Sequence, residues 1–176
     1  MQTQKQFFNT SFFQYQKIQK TPIMNIIFDL SGVIFGHSPA TTQTHQYGAT
    51  VLSPINPGTT IRLLNDCIKE GHRLFILSNM SQDDLLYLQH HPQGARIFKY
   101  FEDIILGPVV GIKKPDPRIF SYLLNKHVLD PEHSIFIDDQ IINLEAAEKA
   151  GISKGIHCDN FNFIEIRKKL ESYGAL

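Results

Sequence analysis

A handful of residues in this chain have the types and spacing for chemistry on a charged, oxygen-rich group. They are Asp29, Ser78 with Asn79 beside it, Lys114, and the pair Asp138 and Asp139 with Asn143 beyond. Carboxylates that converge without cation partners repel and raise one another's pKa. A hard divalent ion such as Mg²⁺ relieves this, because it takes oxygen ligands and keeps positions open for water and phosphate. A lysine then supplies positive charge, and a serine a hydrogen-bond donor, for an anionic substrate. Metal, carboxylate nucleophile and ammonium are the parts that phosphoryl transfer through an aspartyl-phosphate uses. Each polar residue alone has an ordinary alternative as a helix cap or loop residue. The grouping therefore depends on whether the fold brings them to one edge.

From Ile23 onward, short apolar strands alternate with helical segments. The strands are "IIFDL" (26–30), "RLFILS" (73–78), "EDIILG" (102–107), "SIFIDD" (134–139) and "KGIHC" (154–158). Between them lie helices over 56–72, 81–91, 116–127, 143–151 and 162–173. Asn56 is placed to cap the first, with Pro57 in its first turn and Gly71 closing it. Ser81 and Asp84 form a capping box for the second, which is expected to stop at Pro92. Asp116 followed by Pro117 opens the third. Strands that are apolar on both faces and separated by helices imply a parallel sheet covered on both sides. The fold class is therefore α/β, a Rossmann-like three-layer α/β/α sandwich. In such sheets ligands bind beyond the carboxyl ends of the strands. Asp29, Ser78 and the Asp138–Asp139 pair each close a strand, so all of them should meet at that edge.

The 176 residues suit one domain with a sizeable core. Lys plus Arg equals Asp plus Glu, 17 against 17, so no overall field favours nucleic acid or an anionic membrane surface. No apolar run approaches a membrane span. The two cysteines, Cys67 and Cys158, are far apart and lack metal-ligand spacing, which fits reduced thiols in a cytoplasmic protein. The first 22 residues are rich in Gln and Phe, contain no acid, and read as an extension ahead of a domain at 23–176. They lack the continuous apolar stretch of a secretory signal.

The stretches "FDLSGVIF", "FILSN", "GIKKPDPRIF" and "SIFIDDQIINLEAAEKAGI" resemble, in order, the four motifs of the haloacid dehalogenase (HAD) superfamily. The last two are similar to those of phosphatase-like members related to the N-terminal domain of soluble epoxide hydrolase. The resemblance runs from Ile23 to about His157. It implies a Mg²⁺-dependent phosphatase in which Asp29 is the nucleophile and also a metal ligand. The backbone carbonyl of Ser31 would be a further ligand. Ser78 would hydrogen-bond the transferring phosphoryl group with Asn79 beside it, and Lys114 would neutralise charge on Asp29 and phosphate. Asp139 would bind the metal, with Asp138 close by as the alternative ligand and Asn143 in the shell outside. The substrate would be a phosphorylated small molecule or a macromolecular phosphate.

Two departures from the pattern stand out. Most phosphatases of this superfamily carry a second aspartate two residues after the nucleophile, where this chain has Ser31. That aspartate protonates the leaving alcohol, and losing such a group typically costs on the order of 10²–10⁴ in rate. A slow phosphatase, an inactive member that binds a phosphorylated ligand or partner, and a dehalogenase-type hydrolase on Asp29 are the readings this leaves. The second departure is size. A four-helix cap between the first two motifs needs roughly 60 residues, and Gly36 to Asn56 offers 21 without a helical period. That segment reads as a flap or loop over an open site, suited to a bulky substrate or to a second copy of the chain that completes the cap. His37 and His45 lie in it as solvated loop residues, with His37 the better candidate for substrate contact. His90 and His91 read as a C-terminal dipole cap, and Lys113 as a surface charge.

Overall fold

The structure is a computed structural model and describes residues 22–37, 52–54, 56–159 and 161–176. Its centre is strand β1 (Asn25–Phe28), every residue of which is buried. Ile26 and Phe28 enter one core, and Ile27 enters the other. With β4 (Arg73–Ser78), β5 (Asp103–Leu106), β6 (Ser134–Asp138) and β7 (Lys154–His157) it forms a five-stranded sheet of order β5-β4-β1-β6-β7. All four pairings are parallel. A sheet apolar on both faces must be covered on both. On the Ile26–Phe28 side lie α1 (Pro57–Lys69), α2 (Gln82–His90), α3 (Pro92–Phe98) and α7 (Phe163–Ser172), which contribute Leu64, Leu88, Ile97 and Ile166. On the Ile27 side lie α5 (Pro117–His127) and α6 (Ile141–Lys149), with Phe120, Leu123 and Ala147. A single short turn of helix, α4 (Gly107–Val110), follows β5. This is the three-layer α/β/α arrangement that the strand pattern implies.

Local chemistry agrees with the pattern at most element ends. Ser81 Oγ accepts from the Asp84 N–H at 3.1 Å and donates to Asp84 Oδ2 at 2.6 Å. Asp116 accepts from the Arg118 N–H at 3.0 Å. One end differs from the reading above. Asn56 has a left-handed backbone, φ 46° and ψ 56°, and makes no side-chain cap. Its carbonyl instead accepts from the N–H groups of Thr59 and Thr60. The helix α2 stops at His90, before Pro92 as expected, but Pro92 also begins a further helix that the sequence reading leaves out. It opens α3, where a missing N–H costs nothing, and His91 serves as N-cap by accepting from the Gln93 N–H at 3.4 Å. Only His90, bonded to the Leu86 carbonyl at 2.7 Å, acts at a C-terminus.

The segment read as a flap begins and ends as an antiparallel pair, β2 (Phe35–His37) with β3 (Leu52–Pro54). Residues 1–21 and 38–51, His45 among them, and the side chain of His37 lie outside the described residues. Both cysteines are buried and free, and burial pushes the Cys67 thiol up to about 12 and the Cys158 thiol up to about 11. Little thiolate, the reactive form, is then present at neutral pH. No helix among the described residues is long and apolar enough to cross a membrane.

At the start of β5, Asp103 holds the end of α5, with Lys126 Nζ at 2.8 Å and His127 Nε2 at 2.7 Å. Burial works to raise its pKa, but the bonds from Lys126 and His127 outweigh it and hold the carboxyl below the ordinary value. A depressed folded-state value adds stability above the unfolded aspartate's pKa and loses it as pH falls through the folded one. Asp103→Asn should therefore cost about 1 kcal/mol at pH 7, read by urea unfolding. The gap between variant and wild type should close as pH drops below about 4.

Candidate active site

The carboxyl edge of the three inner strands gathers the polar residues singled out by sequence. Asp29 is the first residue beyond β1, and its backbone stays in the sheet because its N–H donates to the Ile137 carbonyl at 2.9 Å. Ser78 ends β4 and Asp138 ends β6, and both are fully buried. Carboxylate oxygens of Asp29, Asp138 and Asp139 lie within 4.8 Å of one another. Lys114, 5 % exposed, reaches in from the loop between α4 and α5. Its Nζ sits 2.9 Å from Asp29 Oδ1 and 2.6 Å from Asp138 Oδ2. The same ammonium lies 5.3 Å above the Phe136 ring, an attractive placement for a buried cation. Lys113, next door, is exposed.

The two neighbouring aspartates have different surroundings. Asp138 is saturated: Oδ1 accepts from Asn143 Nδ2 at 2.9 Å and from the Gln140 N–H at 2.8 Å, while Oδ2 takes Lys114. Asp139 is half-buried, and its Oδ1 has no hydrogen-bond partner. Asp29 Oδ1 is also buried without a well-formed hydrogen bond, although the Lys114 charge is close. Burial raises the Asp29 pKa; Lys114 opposes the rise and Asp138 adds to it. Burial likewise raises that of Asp139, with Asp138 contributing. Three acids against one lysine, with Asp139 Oδ1 buried and unsatisfied, is a donor set that fits a hard divalent cation.

The turn after Asp29 brings a fourth oxygen into consideration. Phe35 closes this turn by donating to the Leu30 carbonyl at 2.8 Å and accepting from the Gly32 N–H at 2.8 Å. Ser31 lies between those two partners, so its own carbonyl is not consumed by the closure. Gly32 has φ +86°, and a Cβ there would overlap Oδ2 and Cγ of Asp139. Only glycine allows that loop and the Asp139 carboxylate to share the space.

Asn79, grouped by sequence with the phosphoryl-binding residues, spends its side chain elsewhere. Nδ2 donates to the Lys114 carbonyl at 2.8 Å and Oδ1 accepts from the Lys114 N–H at 2.9 Å. Sequence reasoning also missed Gly32, the Gln140 N–H and His157, whose Nε2–H donates to the Asp139 carbonyl at 2.9 Å. Gly32, directly after Ser31 and three residues beyond Asp29, was a legible signal. The backbone of Gln140 and the ring of His157 left none.

Residues 48–151 match the sequence pattern of the haloacid dehalogenase-like hydrolases, more than half of the chain. This chain belongs to that family. The matched stretch carries Ser78, Lys114 and the Asp138–Asp139 pair. Among curated HAD relatives, a phosphoglycolate phosphatase of Vibrio cholerae is 38% identical over 77 residues, 44% of this chain and 34% of that protein. Protein CbbY of Cereibacter sphaeroides is 26% identical over 118 residues, 65% of this chain and 51% of that one. The chain thus spans about half or less of the length of these relatives. A HAD family enzyme of Bacteroides thetaiotaomicron, solved with magnesium and inorganic phosphate, superposes with a TM-score of 0.63 at 19% identity. That match covers 78% of this chain and 94% of the other, and at such identity it speaks for the fold.

Proposed function

We propose that this HAD-like hydrolase is a Mg²⁺-dependent phosphatase that works through an aspartyl-phosphate on Asp29. The observation that carries the reading is the convergence of Asp29, Asp138 and Asp139, with one buried lysine between the first two and Asp139 Oδ1 left without a hydrogen bond. Asp29, Asp139 and the Ser31 carbonyl would hold Mg²⁺, which when bound neutralises charge on the carboxylates and on the phosphate. The saturated surroundings of Asp138 favour Asp139 as the direct ligand and give Asp138 the task of holding Lys114. In the first step a carboxylate oxygen of Asp29 attacks phosphorus, and the bond from phosphorus to the leaving oxygen breaks. That oxygen leaves with a proton taken from water. In the second, water attacks the same phosphorus and gives its proton to the hydroxide left by the first, the bond from phosphorus to Asp29 breaks, phosphate departs and the carboxylate is restored. Lys114 offsets negative charge throughout, and the Ser78 hydroxyl offers a hydrogen bond to the phosphoryl oxygens. Relatives named as phosphatases, including the phosphoglycolate phosphatase of Vibrio cholerae, support a phosphorylated small-molecule substrate. The test is Mg²⁺-dependent release of phosphate from an aryl phosphate, with Asp29→Asn as the control.

Ser31 favours a second reading, a protein that binds a phosphorylated ligand and turns it over slowly or not at all. Its hydroxyl is a poor general acid near neutral pH. Ser31→Asp should raise phosphate turnover by about 10²-fold or more, measured at saturating Mg²⁺; a rate at or below wild type would show that water already meets this need. Gly32→Ala is expected to act on the metal instead. By displacing Asp139 it should weaken Mg²⁺ binding by about 10- to 100-fold, read by calorimetric titration of Mg²⁺.

A further inference from the structure

We propose that Asn79 is a positioning residue: its carboxamide fastens the backbone of Lys114 so that the ammonium spans Asp29 and Asp138. The proposal rests on the phosphatase reading and changes the part Asn79 plays in it, from contact with phosphate to alignment of the lysine. Three observations support it. Both polar atoms of the side chain go to one residue 35 positions away, at 2.8 and 2.9 Å, which fixes the translation and the rotation of that peptide together. The fold makes room for this contact. A Cβ on Gly107 would lie 2.8 Å from Asn79 Oδ1 and 2.8 Å from the Ile112 carbonyl, so the residue opening α4 must be small for the amide to fit. Finally, the lysine needs the help. Its stem has four rotatable carbons, its charge is buried, and its two partners stand at the carboxyl ends of different strands. An ammonium misplaced by about 1 Å loses one carboxylate or the other, and misplacement of that size can cost about 10²-fold in rate.

The chemistry of the position is narrow. Aspartate would keep the acceptor for the Lys114 N–H but lose the donor to its carbonyl. Alanine loses both, and Gly107→Ala should disturb the same contact from the other side, pressing on Asn79 Oδ1 and on the backbone of Ile112 and Lys113 while residue 79 stays asparagine.

The experiment pairs aryl-phosphate kinetics with amide hydrogen exchange at Lys114, on wild type, Asn79→Ala, Asn79→Asp and Gly107→Ala. Asn79→Ala should lower kcat by about 10²-fold with KM changed less than about twofold. It should also speed exchange of the Lys114 amide by about tenfold. Asn79→Asp should fall between alanine and wild type, and Gly107→Ala should follow Asn79→Ala in both readouts. A raised KM with unchanged kcat, or Lys114 exchange unaltered in Asn79→Ala, would overturn the proposal. If wild type itself releases no phosphate, the phosphatase reading fails alone. Exchange at Lys114 then decides the fastening by itself, and Gly107→Ala supplies that measurement should Asn79→Ala not fold.

Discussion

Asp29→Asn should abolish phosphate release, by at least about 10³-fold, and leave the protein as stable as before or more so. The activity loss follows from chemistry, since a carboxamide cannot attack phosphorus and be regenerated by water. The stability outcome follows from where the carboxylate sits. It is 4 % exposed, its Oδ1 lacks a well-formed hydrogen bond, and Asp138 repels it. The fold bears this charge at a cost, offset only in part by Lys114. An amide of equal size removes the charge while Lys114 keeps its bond to Asp138 at 2.6 Å. Functional residues that strain their surroundings show this pairing of lost activity with retained stability. Phosphate assay and thermal unfolding without metal read the two halves. Activity persisting in Asp29→Asn would remove the nucleophile from the scheme.

Lys114→Met should have the opposite signature, a large loss of stability. The variant removes the cation from between two carboxylates whose side chains are 6% and 0% exposed. Breaking a buried pair from one side leaves uncompensated charge and costs about 3–5 kcal/mol. For a domain of this size that lowers Tm by roughly 10 °C. Pairing Lys114→Met with Asp138→Asn should recover part of the loss, because one orphaned charge disappears with its partner. A Tm within about 2 °C of wild type for Lys114→Met alone would mean that the carboxylates are protonated or hydrated once the lysine is gone.

Much of this was legible in the sequence, and the exceptions have physical causes. The central strands could be read because burial on both faces forces continuous apolar runs, as in Ile26, Ile27 and Phe28. Asp29, Ser78 and Asp138 could be read because each closes such a run. The helix α3 escaped because Pro92 reads in sequence only as the stop of α2, whereas it is also the first residue of a second helix, held by tertiary packing of Ile97 and Phe98. The division of labour between Asp138 and Asp139 is set by contacts with Asn143, Gln140 and Lys114, which adjacency in sequence cannot rank. The two bonds of Asn79 connect residues 35 apart through a side chain, and no periodicity reports such a contact.

The placement of β1 between β4 and β6 also dictates when the site can come into being as the chain folds. β1 can pair with β4 early, but its other edge must wait for β6, with Asn25 meeting Ser134 across 109 residues. Long loop closure delays such pairings. Asp29 therefore faces no neighbouring acid until β6 docks and delivers Asp138 and Asp139. The mutual repulsion of the three carboxylates is met only when β6 docks. Lys114 precedes β6 in the chain and is available to meet it. One pairing thus completes both the second edge of β1 and the site, and β7, which pairs with β6 alone, can join the sheet only after it.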